Sequence, residues 1–417
     1  MAALFALLLL ALLGPAALAA PMGAEEARHL LDRTAFGASP AEVARYAALD
    51  RRQAVDRLLT AATTEPAAKP PAEVDEYLAP RRFRDAGDDE RLALRKEQHR
   101  RGVELRAWWL GEMLAADPPT ALREHMTLFW HNHFVSSVDK VKSPKLMLEQ
   151  NLLLRRHALG NFGQLLHAVG RNPAMVVYLD SATSRRGQPN ENFAREVMEL
   201  FTLGEGHYAE QDVKEAARAF TGWSVDPETG AYKWRPFAHD AGPKTVLGRS
   251  GNLDGDDVLD ILLARPETAE FVTAKLWREF VSPTPDAGEL KRIAGRFRAS
   301  GYDIKSVLGD LLASPAFWAK ENRAALVKSP ADIVVGTLRR LEMQDAADGR
   351  TLVFAMKQQG QDLFAPPNVK GWPGGNAWIN STTLLAREQF LDRLSGLMPP
   401  WADLDRAALL DPAYQLK

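Results

Sequence analysis

Apolar side chains recur at three- and four-residue spacing over most of this chain, and that period predicts helices almost throughout. Residues 25–59 read as two helices, the second opened by Ser39, Pro40 and Glu42 in the order of a capped helix start. A charged helix follows at 89–117, with Trp108, Trp109, Leu110 and Met113 at its buried end. Leu122, Met126, Phe129, Trp130 and His133 share the face of a further helix. Leu146 to Leu153, Phe162 to Val169 and Asn190 to Leu203 mark three more, stopped by Gly160, Gly170 and Gly204. Helices resume near Gly255, with Asp256 and Asp257 at the negative-favouring N-terminus, and continue to Met343. The period breaks at 221–250, where Trp223, Val225, Tyr232 and Trp234 flank a Pro/Gly turn and predict a hairpin.

The pattern predicts a mainly α fold: one large multi-helix globular domain over 25–395 with one small β-hairpin near 222–248. Prolines at 66, 70, 71 and 80 make 61–90 a surface excursion within it, and 396–417 a C-terminal tail. The Pro/Gly stretch 365–375 is an ordered loop or a linker; Trp372 and Trp378 favour order.

Residues 1–20 are a different material: no charged side chain, an apolar run from Leu7 to Leu13, a Gly14–Pro15 break and Ala17-Leu18-Ala19. That is the shape of a signal peptide, although its first residues lack Lys and Arg, and a retained membrane anchor is the competing reading. The expectation is an exported protein, periplasmic or extracellular, with no transmembrane span after leader removal. Composition narrows the chemistry. The 52 basic and 54 acidic side chains nearly cancel, which argues against a global nucleic-acid-binding field. Cysteine is absent, removing thiol catalysis, thiolate ligands and disulfides together. No GxSxG elbow, HExxH, Walker A or GxGxxG is present, and Asn252–Asp256 fails as a calcium loop because its glycine is misplaced and Leu263 stands where the closing glutamate belongs.

Four polar constellations remain. His131 and His133 flank Asn132; on a helix the two rings point about 200° apart, so they are no ready-made metal clamp, and His133, on the apolar face, reads as a core histidine. Asn192, Arg195, Glu196 and Glu199 fall on one helix side behind Asn190, either as solvated pairs or as an inward ion cluster. His207 sits in the Gly-rich run that follows. His239 and Asp240 precede Lys244 in a Gly-rich loop, as a base with its orienter, a metal-ligand pair or a loop-holding bond. Trp372 and Trp378 can stack on a sugar ring or pack their own loop.

Taken in order, Met126–Phe134, Ala174-Met175 with Tyr178–Asp180, Pro189–Gly204, Ala217–Trp223, His239-Asp240 with Lys244, and Pro366–Trp372 resemble the bacterial domain of unknown function 1800 family, over about residues 27–390. The resemblance implies an exported protein, often encoded beside a sulfatase-like partner family, with no established activity to carry over. The family's recurrent polar positions fall on His131, Asn132, His133, Asn190, Glu191, Asn192, Arg195, Glu196, Glu199, His239, Asp240 and Lys244.

Two readings of function stay open, beside a third in which the polar residues merely lock a large helical core. One is an envelope enzyme, hydrolase-like, with His131, Asn132, Glu196, Glu199, His239 and Asp240 as catalytic candidates. Asn190, Asn192, Arg195, Lys244 and Trp372 would then bind substrate, and His131, Glu196, His239 and Asp240 would supply ligands suited to a divalent metal ion. The other is a non-catalytic binding or accessory protein acting with an envelope partner, sulfatase-like in type.

Overall fold

Polar caps start most of the helices, and they explain where the chain turns. In the computed structural model, which describes residues 20–60, 64–346, 348–400, 402 and 404–417, α1 (Gly23–Thr34), α2 (Pro40–Ala47) and α3 (Arg51–Leu59) occupy the stretch expected to hold two helices. Ser39 and Glu42 exchange backbone bonds as the sequence predicts, and Asp50 with Gln53 builds a second capping box, which makes the extra break. The expected leader at 1–20 lies, but for Ala20, outside the described residues.

Helices make up 62% of the structure. The elements that matter for the site are α4 (Asp88–Ala115), α5 (Pro118–His133), α6 (Pro144–His157), α7 (Asn192–Glu196), α8 (Pro266–Phe280) and α9 (Pro330–Arg340). Instead of running as one α-helix to Leu203, α7 widens into a π-helical turn over Val197–Thr202, where the Leu203 amide reaches back five residues to the Met198 carbonyl at 2.8 Å. The predicted hairpin pairs β1 (Trp223–Val225) with β2 (Tyr232–Trp234), and a second antiparallel pair joins β3 (Lys244–Val246) to β4 (Arg249–Gly251). The excursion before α4 is tied down: the Ala67 and Ala68 amides donate to Glu112, both at 2.7 Å, and Trp108 Nε1 donates to the Ala68 carbonyl at 3.0 Å.

A buried ion pair fixes the rotation of α5. Glu124 and Arg155 are both fully buried, and the guanidinium meets the carboxylate with two bonds of 2.8 Å. Trp109 Nε1 donates to the same carboxylate at 3.0 Å and Arg123 adds two more bonds, so α4, α5 and α6 converge on one carboxyl group. Burial by itself would raise the Glu124 pKa; Arg155 and then Arg123 outweigh it and hold the group below its ordinary value. Helix α9 closes on the turn after α1, where a side chain at Gly336 would collide with the Phe36 carbonyl. The far end of the chain is folded in, with Leu409 and Tyr414 buried and backbone bonds in both directions between Leu326 and Lys417.

Replacing Glu124 with Gln leaves Arg155 buried without its counter-charge. The expected loss is about 3–5 kcal/mol, the usual effect of removing one partner of a buried pair. Chemical denaturation monitored by far-UV circular dichroism measures it; a loss below about 1 kcal/mol, the range of exposed pairs, would show that the pair does not carry the helix junction.

Candidate functional site

Seen down its axis, α5 has two working faces. Glu124 and His131, seven residues apart, share the face turned to α4 and α6. The neighbouring face carries His125, Leu128, Phe129, Asn132 and His133 into a cleft of about 570 Å³. That volume lies within the range of small-molecule sites. The opposite wall is the last turn and a half of α8, with Lys275, Arg278 and Glu279. The remaining sides come from Ala325–Asp332, Gln361, Lys417 and the loop from Lys370 to Trp378. A shallower depression of about 400 Å³, lined by Glu270, Lys291 and Arg298 among others, includes no histidine.

Three linked pairs supply the polarity of the cleft. His125 is sandwiched between Phe36, stacked at 4.8 Å, and Phe280 at 5.2 Å. A carboxylate only accepts, so His125 Nε2 carries the proton and donates to Glu279 Oε1 at 2.7 Å. Burial alone would raise the Glu279 pKa, but the bond from His125 and the charges of His125 and Lys417 outweigh it and keep the group below its ordinary value. Glu279 is 35% exposed at its side chain, so a pinned, ionised carboxylate faces the opening. Across the cleft, Asp332 Oδ2 accepts from Lys417 Nζ at 2.8 Å and from the Ser329 hydroxyl at 2.8 Å. Here too the lowering influence of Lys417 exceeds the raising effect of burial.

The third pair joins the cleft to the π-turn. Carbonyls at a helix end lack intrahelical donors, and two of them are met from the cleft: Lys275 Nζ donates to the Leu200 carbonyl at 3.0 Å and His133 Nε2 to the Phe201 carbonyl at 3.0 Å. The other His133 nitrogen, Nδ1, therefore accepts from Lys275 Nζ at 3.2 Å. Burial, then Lys275, drives the His133 pKa well below its ordinary value, and burial, then Arg278, lowers Lys275 to about 8.

The residues singled out from sequence distribute unevenly around this cleft. Asn132 borders it and holds its loop: Oδ1 accepts from the Trp372 amide at 2.7 Å, next to Gly371, whose φ of 90° favours glycine. Trp372 is nearly buried in that loop, which is ordered, and His133 is a buried wall residue. His131 faces the other way. Asn151 Nδ2 donates to its Nε2 at 3.2 Å, Trp109 and Phe364 pack on its ring, and burial, then Arg155, lowers its pKa to about 3.

The remaining candidates lie outside the cleft lining. Glu199 accepts from the Tyr208 hydroxyl at 2.8 Å, and half-buried Glu196 is pushed up by burial and by the Glu199 charge while Arg195 and then Lys370 counter it. Arg195 forks onto Glu210 with two bonds of 2.8 Å and reaches Glu191 at 3.2 Å, which is the solvated-pair alternative. Asn190 Oδ1 caps the Asn192 amide and Asn192 Nδ2 donates to Asp180. His239 Nδ1 donates to the Thr221 carbonyl at 3.0 Å; Arg218 clamps Asp240 and holds its carboxyl below the ordinary value. Lys244 is buried, with its Nζ donating to the Gly242 and Leu253 carbonyls at 3.0 and 2.8 Å. The His239 loop is thus held together by its own polar groups. Among the described residues no three His, Asp or Glu side chains are placed to hold a metal ion, so His131, Glu196, His239 and Asp240 do not make one centre.

Sequence reasoning missed Lys275, Glu279, Asp332 and Lys417, and placed His125 only at the start of the polar stretch that ends at Asp240, without a role. One weak signal existed: Lys275 and Glu279, four apart, stand next to Trp277 and Phe280 on a helix otherwise rich in apolar positions. Nothing local shows that the same turn faces His125, 154 residues away.

A side chain at Gly371 would collide with Asn132 Oδ1 and stand 2.9 Å from the Asn132 carbonyl. Gly371→Ala is therefore expected to detach the Trp372 loop at a cost of about 1–3 kcal/mol, read as a red shift in tryptophan emission and faster proteolysis at 366–378. Unchanged emission and cleavage would show that Asn132 does not set the loop.

Neither a curated protein nor a solved structure matches this chain. A family model described as a protein of unknown function (DUF1800) matches residues 29–416, nearly the whole chain. The run of motifs from Met126 to Trp372 thus has its explanation, and the chain belongs to the DUF1800 family.

Proposed function

We propose that the protein is an exported, hydrolase-like enzyme whose active site is the cleft between α5, α8 and the Trp372 loop, with Glu279 as its acid–base group. The observation that carries this is the 2.7 Å bond from His125 to Glu279, which orients a carboxylate at the edge of a cavity of about 570 Å³. An ionised carboxylate held in one position is suited to take a proton from an attacking water. His125 is a positioning residue, fixed by two aromatic rings, and His133 and Asn132 shape the opposite wall. The apolar stretch from Leu7 to Leu13 followed by Ala17-Leu18-Ala19 supports export.

Acetate, phosphate and sulfate esters of p-nitrophenol provide the test. Turnover of at least one is expected from the wild type, with Glu279→Gln slower by about 10²–10⁴-fold, the typical contribution of a general acid or base, at unchanged melting temperature. Equal rates for wild type and variant would remove Glu279 from the chemistry. N-terminal sequencing of the exported protein should begin close to Ala20; an intact leader on membrane-bound protein would make it an anchor instead.

A second reading, an accessory protein acting with an envelope partner of sulfatase-like type, has its own support. Phe237 is 79% exposed and Trp234 41%, three residues apart on the arm that follows β1. Absence of turnover, with a copurifying partner lost in a Trp234→Ser, Phe237→Ser variant, would favour it.

A further inference from the structure

We infer that the cleft binds its ligand through an oxyanion group (sulfuryl, phosphoryl or carboxylate) held by Lys275, with Arg278 as the second donor. This rests on the cleft being the ligand site, and it goes further in naming the charge of the ligand and the residues that read it.

The argument is one of unmatched charge. Glu279 is engaged by His125, and Asp332 by Lys417 and Ser329. Lys275 has no such partner: its two bonds go to the Leu200 carbonyl and to the neutral Nδ1 of His133. An ammonium has three donors, so one remains. Among the described residues no carboxylate stands within ion-pair distance of Lys275 or of Arg278, one turn further along α8. Lys370, on the facing loop, is at 3.8 Å from Glu205, at the edge of ion pairing. The walls thus present more positive charge than they neutralise. A partly buried ammonium without a counter-charge is costly, and an incoming oxyanion relieves that cost. The Phe271 ring, 4.9 Å from the Lys275 nitrogen, and Trp372 and Trp378 on the loop keep the surroundings apolar enough for the attraction to count.

Capping of the Leu200 carbonyl by Lys275 is the purely structural role to be separated from this, and pH separates them. With its ordinary value lowered to about 8 by burial and Arg278, Lys275 is charged below that pH and neutral above it. Oxyanion affinity must then fall as pH rises through about 8, approaching tenfold per unit at higher pH because only the charged fraction binds. A carbonyl cap has no such anion dependence.

Isothermal titration of the full chain with sodium sulfate, at ionic strength balanced by sodium chloride and pH 6.5–9.5, makes the test; sulfate stays a dianion over that whole range. Expected is saturable binding that is flat below about pH 7 and weakens through about 8. Lys275→Met should reduce it at least tenfold, and Arg278→Met several-fold, with the inflection still present but moved to higher pH because the Arg278 charge that lowers Lys275 is gone. If Lys275→Met does not fold, the wild-type pH profile and Arg278→Met decide alone. No saturable binding, or binding indifferent to Lys275 and flat from pH 7 to 9, overturns the inference. Glu279→Gln should still bind sulfate. Sulfate binding without ester turnover would therefore sink the enzyme reading and leave this one standing, while turnover of a neutral ester without sulfate binding would do the reverse.

Discussion

The charge of Glu124 could not be buried without Arg155, and much of the molecule is arranged around satisfying that pair. Its carboxylate draws Trp109 from α4, Arg123 from its own helix and Arg155 from α6 into one dry cluster. Such a pair adds little net stability over an apolar core, because desolvation offsets most of the attraction, but each charge makes the other indispensable. The structural consequence is directional. With Glu124 and His131 locked inward, the rest of the helix surface has to present His125, Phe129, Asn132 and His133 to the cleft.

The cleft repeats the same economy on a smaller scale. Three ionisable groups in its walls are tied to groups from distant parts of the chain: Glu279 to His125, Asp332 to Lys417, Lys275 to the Leu200 carbonyl of the π-turn. These ties leave the two acids with partners and the cations Lys275 and Arg278 without counter-charges. The Asn190–Gly204 motif contributes to this site through backbone carbonyls rather than through its conspicuous carboxylates. A π-turn at that point places Leu200 and Phe201 where Lys275 and His133 can cap them.

The legible parts of the fold were those governed by neighbours in sequence. Ser39 with Glu42 announced a helix start, and Trp223 to Trp234 announced a hairpin, because caps and turns are interactions among residues a few positions apart. The widening at Val197 was not legible, since a π-turn and an α-turn present the same apolar period over six residues. For the candidate site, Asn132, His133 and Trp372 were recognised as unusual and do border the cleft. His239 and Asp240 were equally conspicuous, and they hold a loop together.

What the sequence determined by itself is a helical chain without thiols, capped and broken at readable places, with its polar motifs concentrated on α5, α7 and the loops around them. Local spacing suffices for that, because helix periodicity and capping act within a turn or two. Tertiary structure alone decided which polar groups face one another. His125 and Glu279 are 154 residues apart, and Lys417 meets Asp332 from 85 residues away. Whether a charged side chain is neutralised, and so whether it is spent on the fold or left to meet a ligand, depends on partners brought by packing. No periodicity in the chain records that.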